Sequence, residues 1–295
     1  MLSILIPTYN RECHALAEAL SQQAGEAGIS YEIIVADDAS TDDSPSANRR
    51  INLLPHCRFV RLEHNMGRAR IRNWLAGEAS GDLLLFMDCD ALVTSPHFVS
   101  RYVGMASEAP VLCGGLRHPE TLPQPDVTLR YYYEKEADRH RSADCRKQAP
   151  YECFATFCFA IRRDTFLSIL FDENCREYGY EDTLFGEELK KREIPICHFE
   201  NPLIHTGLED NATFLKKTET ALHTLVGLQQ RGIRFHSRLA NKYEQLRRWG
   251  LHWLLPHLFR LTSPLLRSNL LGNKPNLKLF ACYKLGYYSM LQRGK

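Results

Sequence analysis

The spacing of apolar and polar residues changes period repeatedly over the first 90 residues. Short apolar runs at Leu2–Pro7, Tyr31–Ala36, Phe59–Leu62 and Asp82–Met87 predict strands. Between them, residues 12–24, 42–54 and 68–79 have helical spacing, with Thr41 or Asp42 placed to cap the second helix. Repeated strand–helix units predict a mainly parallel sheet wound with helices. Such sheets bind ligands beyond the carboxyl ends of their strands, which here are the polar loops Thr8–Arg11, Asp37–Thr41 and Asp88–Asp90.

Further along, residues 117–150 combine Pro119, Pro123 and Pro125 with dense charge and Tyr131–Tyr133, and predict a partly helical excursion over the site. Strand character returns over 151–162, a short helix over 164–170 and an amphipathic helix over 180–192. Strands at 195–199 and 203–206 then precede a long helix from near Asp210. The expected division is an α/β domain over 1–235 and a basic, aromatic helical extension over 236–295.

Composition narrows the class. A length of 295 residues allows one large domain with an appendage, and 44% hydrophobic with 24% charged residues excludes disordered, collagen-like and rod-like chains. No apolar run approaches the ~18–20 residues of a membrane span, and Met1–Ile4 lacks a basic leader, so a cytoplasmic location is expected. Ten scattered cysteines without a Cys-x-x-Cys pair predict reduced thiols, most of them buried as small hydrophobes. Charge is unevenly spread: residues 242–295 hold ten Lys/Arg and one acid, Glu244, while the preceding part carries 27 basic and 34 acidic residues.

Asp88-Cys89-Asp90 directly follows the run Leu83–Met87, so a strand end projects two carboxylates into the crevice. Their repulsion is removed by a divalent cation or a shared proton, and oxygen ligands suit Mg²⁺ or Mn²⁺ held jointly with phosphate. An acidic turn capping the next helix explains the same residues. Asp37-Asp38, closing the second strand, can accept a base N–H or a ribose hydroxyl, or serve as a helix cap. In Asn65-Met66-Gly67-Arg68-Ala69-Arg70-Ile71-Arg72, Arg68 and Arg72 share a helical face and can grip phosphate together. A solvated basic face is the plainer reading of that segment.

Together, Ile6-Pro7-Thr8-Tyr9-Asn10-Arg11, Val35–Asp42, Asn65-x-Gly67 with Arg72-Asn73, and Met87-Asp88-Cys89-Asp90 resemble family 2 glycosyltransferases of the GT-A fold, over roughly residues 2–230. The Asp-Cys-Asp variant is similar to that of bacterial chondroitin-polymerase-type transferase domains. The resemblance implies a Rossmann-like, mostly parallel α/β sheet and a UDP-sugar donor bound by Pro7, Thr8, Tyr9, Arg11, Asp37, Asp38, Asn65, Gly67, Arg68, Arg72, Asp88 and Cys89. Asp38 is expected at the uracil imide, with Asp37 supporting it. A Mn²⁺ or Mg²⁺ ion is expected on Asp90, with Asp88 and His205 as further candidate ligands. Gly179-Tyr180-Glu181-Asp182 resembles the family's acceptor-site motif, which implies Asp182 as general base and Glu181 as its neighbour holding the acceptor or tuning its pKa. An acidic first helical turn and a structural histidine are the plainer alternatives.

The expected activity is inverting transfer to a hydroxyl of a glycan or lipid-linked acceptor, in polysaccharide or glycoconjugate synthesis. A nucleotidyltransferase would need a glycine-rich loop where Pro7–Arg11 has none, and a non-catalytic sugar-nucleotide-binding or glycan-binding module would tolerate losing acids that are all present. Residues 242–295 fit either peripheral contact with an anionic membrane or a helical cap, with Pro256 and Pro264 keeping the helices short. Nucleic acid is not an expected partner, since the remainder of the chain is acidic and no binding motif occurs.

Overall fold

The structure, a computed structural model, describes residues 1–175, 178–233 and 235–293. Its elements are β1 Leu2–Thr8, α1 His14–Glu26, β2 Tyr31–Asp37, α2 Ser44–Asn48, β3 Cys57–Arg61, α3 Arg68–Glu78, β4 Leu83–Met87, β5 Ala91–Leu92, α4 Phe98–Gly104, β6 Val111–Cys113, β7 Leu116–Arg117, α5 Thr128–Asp138, α6 Ala143–Lys147, β8 Cys158–Arg162, α7 Arg163–Ile169, α8 Glu181–Lys191, β9 Ile196–His198, β10 Leu203–His205, α9 Asn211–Gln230, α10 Arg238–Arg248, α11 Leu254–Leu270 and α12 Leu277–Arg293. They form two compact units. The first comprises residues 1–118, 138–176 and 181–207, and the second 119–137, 177–180 and 208–295.

In the first unit a seven-stranded sheet has the order β3-β2-β1-β4-β8-β6-β9. The β1, β2, β3 and β4 neighbours pair in parallel, as do β6 and β9, while β8 runs against both β4 and β6. The sheet is therefore mostly parallel. Its central strands are apolar on both faces, the pattern of strands covered on each side. One face is filled around Ile4, Leu20, Ile33, Leu85 and Tyr102, the other around Leu5, Ile34, Leu75, Leu84 and Phe86. On that second face Phe159 touches Phe86, Phe154, Phe171 and Phe185, and Phe185 anchors α8. A smaller sheet, β5-β10-β7, sets Ala91 opposite His205 across an antiparallel pair.

The second unit is helical. Leu129, Phe214, Leu215, Phe259, Leu270, Phe280 and Tyr283 form one apolar cluster, and Leu222, Leu225, Val226, Tyr243 and Tyr288 form another. The α9 helix thus shares a core with the C-terminal helices, so the compact units divide elsewhere than at residue 235. The physical reason is that α9 buries one face among those helices. Asp210 caps it by accepting from the Ala212 and Thr213 N–H groups.

Four local expectations are corrected. Residues 42–54 form the short α2, opened by Pro45, followed by a 3-10 turn over Arg49–Leu53 instead of one helix. Asp42 accepts from Ser44 N–H at 3.0 Å but caps no long element. Of residues 151–162, only Cys158–Arg162 pairs as a strand, because the preceding segment is turn. The α11 helix continues for 17 residues through Pro264, while Pro256 lies in its first turn, where a missing N–H costs least. Four cysteines (Cys13, Cys113, Cys158 and Cys175) are buried and the other six are half-buried or exposed, so most are not fully buried.

Removing the ring that joins sheet to helix cover leaves a cavity with no local means of closing. Phe159→Ala is expected to cost about 3–5 kcal/mol, read as a lower urea midpoint at unchanged slope.

Candidate active site

Three adjacent parallel strands, β2, β1 and β4, end on the same edge of the sheet, and their loops form the site. Thr8 Oγ1 donates to Arg11 O at 2.9 Å, which turns the chain after β1. Asn10 N–H donates to Ser40 Oγ at 2.7 Å and Thr41 N–H to Asn10 Oδ1 at 2.8 Å, so the first two loops are tied together. Asn10 and Ala39 take left-handed backbone conformations, with φ of 50° and 60°. For Ala39 this costs roughly 1–2 kcal/mol, which the cross-loop bonds offset. Tyr9 stands exposed beside them and Pro7 is half-buried.

Asp37 is fully buried and accepts from the Ser40 N–H and hydroxyl, with Arg61 Nε at 3.6 Å. Asp38 uses both oxygens on the start of α3, accepting from Met66 N–H at 2.6 Å and Gly67 N–H at 2.9 Å. Asn65 Nδ2 donates to its carbonyl. Burial pushes the Asp38 carboxyl above its ordinary value, and the two backbone bonds only partly oppose this. Gly67 reaches φ 81°, a region open to glycine, and so aims its N–H at Asp38.

One turn into α3, Arg72 is only 2% exposed. Its Nη2 donates to Asp88 Oδ1 at 2.6 Å and its Nη1 to Arg68 O at 3.1 Å, while Nε has no partner. Desolvation raises the Asp88 pKa, opposed first by Arg72 and then by Arg68. Cys89 stays a thiol, its pKa pushed up to about 11 by burial and by the neighbouring Asp90. Arg68 also places Nη1 3.6 Å from Glu181 Oε1. The α3 arginines therefore connect the end of β4 with the first turn of α8.

Asp90 turns the other way. Its Oδ2 lies 3.1 Å from His205 Nε2, an approach dictated by the β5–β10 register, and its carbonyl accepts from Thr206 N–H and Oγ1. Arg11 Nη2 donates to Thr206 Oγ1 at 3.4 Å. A Cβ added at Gly207 would fall 1.9 Å from Asp90 Oδ2, so only glycine leaves that carboxylate in place. Sequence reasoning missed Thr206 and Gly207; the Thr-Gly step directly after His205 was the available signal. Asn10 and Ser40 were missed as loop ties because each is unremarkable alone.

Asp182 accepts from Thr183 N–H at 2.7 Å through Oδ1. Burial first and Glu181 second raise its pKa to about 6, with Arg72 pulling the other way. It also lines a cavity of about 280 Å³ bounded by Gly115, Arg141, Arg146, Glu152 and Phe157, among others. Arg146 fixes one wall. Its five N–H groups go to the carbonyls of Cys113, Gly114, Arg141 and Phe199 and to His198 Nδ1. Since the Pro150 carbonyl can only accept, His198 carries its proton on Nε2, and burial followed by Arg146 lowers its pKa.

Among the described residues no group of three or more His, Cys, Asp or Glu side chains is placed to hold a metal ion. Asp90 and His205 form a two-donor set, and Asp88 is committed to Arg72. A carboxylate oxygen beside an imidazole nitrogen fits a divalent ion that takes its other ligands from a diphosphate, and does not fit one held by protein alone.

Residues 3–170 match Glycosyl transferase family 2, and the chain belongs to that family. It is 25% identical over 230 residues to chondroitin synthase of Escherichia coli, covering 67% of this chain and 33% of that protein. It is also 27% identical over 224 residues to validoxylamine A glucosyltransferase of Streptomyces hygroscopicus subsp. limoneus, covering 66% and 49%. The chain thus spans a third to a half of these relatives. The fold is that of a mannosyltransferase from Pyrobaculum calidifontis solved with GDP-Man and Mn²⁺, at TM-score 0.58 and 15% identity, covering 100% of this chain and 86% of that one. It is also that of glucosyl-3-phosphoglycerate synthase from Mycobacterium tuberculosis solved with Mg²⁺ and UDP, at TM-score 0.53 and 16% identity, covering 80% of each. The architecture is therefore GT-A.

Arg72→Leu strips Asp88 of its cation in a mostly desolvated position. Unfolding in denaturant should show a loss of about 3 kcal/mol, and Asp88→Asn in the same background should recover part of it.

Proposed function

We propose that the protein is an inverting, metal-dependent glycosyltransferase that moves a hexosyl or N-acetylhexosaminyl group from a UDP-sugar to a hydroxyl of a glycan or lipid-linked acceptor, in polysaccharide or glycoconjugate synthesis. The observation that carries this reading is the α3 arginine pair, which faces the Asp-x-Asp turn on one side and the Glu181-Asp182 turn on the other. That arrangement suits a leaving diphosphate and an incoming alcohol on opposite sides of one reacting carbon.

In this mechanism Tyr9, Thr8, Pro7 and Arg11 line the nucleotide, the Asp37–Asp38 turn shapes its base and ribose pocket, and Asp88, with Cys89 beside it, faces the donor. Asn65 and Gly67 hold Asp38 and the α3 N-terminus in position. Arg68 and Arg72 offset the charge that builds on the diphosphate. Asp90 and His205 would hold Mn²⁺ or Mg²⁺, which supplies further neutralisation of the diphosphate oxygens. Asp182 takes the proton of the acceptor hydroxyl at Oδ2, since Oδ1 is engaged by Thr183 N–H. Its raised pKa makes it a stronger base than an ordinary aspartate while leaving most of it ionised at pH 7. The location that goes with this reading is cytoplasmic, with peripheral attachment through residues 242–295 when the acceptor is lipid-linked.

The test is a screen of UDP-sugars for Mn²⁺-dependent hydrolysis and for protection against thermal unfolding, with GDP- and dTDP-sugars as controls. A response confined to the controls overturns the UDP assignment, and turnover retained by Asp90→Ala overturns the cation assignment. Gly207→Ala should keep its melting temperature but raise the Mn²⁺ concentration needed for half-maximal rate at least tenfold, because the new Cβ displaces the Asp90 carboxylate.

The pH profile gives a second check. Ionisation activates Asp182, so kcat/KM should rise through a limb near pH 6. Asp182→Asn should retain UDP binding and lose at least a hundredfold in kcat together with that limb. Its folded-state pKa is raised, so ionisation disfavours the fold as pH climbs through about 6, and Asp182→Asn should melt higher than wild type at pH 8 but not at pH 4.

A further inference from the structure

The α11 helix has two apolar faces. Pro256, Phe259 and Leu270 are buried, Phe259 and Leu270 in the cluster that also holds Phe280 and Tyr283. Leu258, Leu261 and Leu265, at the spacing of a second stripe, are 54%, 78% and 75% exposed. Trp249, Leu251 and Trp253 stand exposed just before the helix. Arg248, Arg260, Lys274 and Lys278, within α11 and on either side of it along the chain, are exposed and make no ion pair among the described residues, whereas Arg247 and Arg267 are paired with Glu244 and Glu219. Neither α11 nor α12 contains an acidic residue.

From this juxtaposition we infer that the outer face of α11, with Trp249 and Trp253, is a docking surface for an anionic lipid bilayer. Leucine and indole side chains enter the region between headgroups and acyl chains, and the four unpaired cations lie against lipid phosphate. No helix among the described residues is long and apolar enough to cross a membrane, so the helix lies on the surface. Charge selects this occupant over a second copy of the chain. A two-fold interface built on the same face would bring the same basic groups together without acids to meet them.

Sedimentation of the full chain with phosphatidylcholine vesicles, with and without one quarter phosphatidylglycerol, tests the inference. The wild type is expected to bind the mixed vesicles at least tenfold more tightly than neutral ones and to be released by added salt. Both Leu258→Ser/Leu261→Ser/Leu265→Ser and Arg248→Gln/Arg260→Gln/Lys274→Gln/Lys278→Gln should lose at least tenfold on mixed vesicles, with melting temperatures reported alongside to show that each variant is folded. Equal binding by wild type and folded variants, or no binding to either vesicle, overturns it. A concentration-dependent wild-type dimer that the leucine variant abolishes, without vesicle binding, assigns the face to a second copy and also overturns it.

Discussion

The buried ion pair between Arg72 and Asp88 is the constraint around which the site is organised. A guanidinium so nearly sealed from water needs a countercharge, and the strand end supplies one at 2.6 Å. That pairing fixes how α3 lies against the sheet edge and sends Asp88 and Asp90 in different directions. One acid becomes part of an arginine cluster, while the other meets an imidazole from a different sheet. A turn that looks symmetrical in sequence is thereby split into two chemical roles.

Backbone geometry around this pair is equally directed. Asp38 spends both oxygens on the N–H groups that open α3, and Asn10 and Ser40 lock two loops whose backbones alone would be strained. The loops are held by many short polar bonds instead of by apolar contact, which leaves their outer surfaces open to a polar ligand. Beneath them, the stacked phenylalanines supply the rigidity that such loops lack.

Much of this was legible in the sequence because strand ends, acids and turns occur close together along the chain. The alternation of apolar runs marked β1 to β4 and the loops at their ends, and helical spacing marked α3, α8 and α9. The nearness of His205 to Asp90 was expected only through the family resemblance; its cause, pairing between β5 and β10 more than a hundred residues apart, leaves no local signal, and the Thr206 and Gly207 contacts that follow from it escaped. The side of Asp38 that binds was hidden for a similar reason, since its partners are backbone N–H groups with no side-chain signature. Pro264 misled because a proline breaks a helix only where the lost hydrogen bond cannot be tolerated. The division between units was obscured because α9 reads as an ordinary amphipathic helix whichever core it joins.

The Arg146 hub sets the cavity wall beside Asp182 in a particular state. Every N–H of that guanidinium is already spent, so it shapes the hollow without offering a hand to whatever enters. His198 can take part only as an uncharged ring, because a second proton would face a donor with nowhere to point. Burial holds that ring neutral to lower pH than a free imidazole, so the arginine contacts that join the turn between β6 and β7 to the end of β9 keep their pattern where ordinary histidines have already charged.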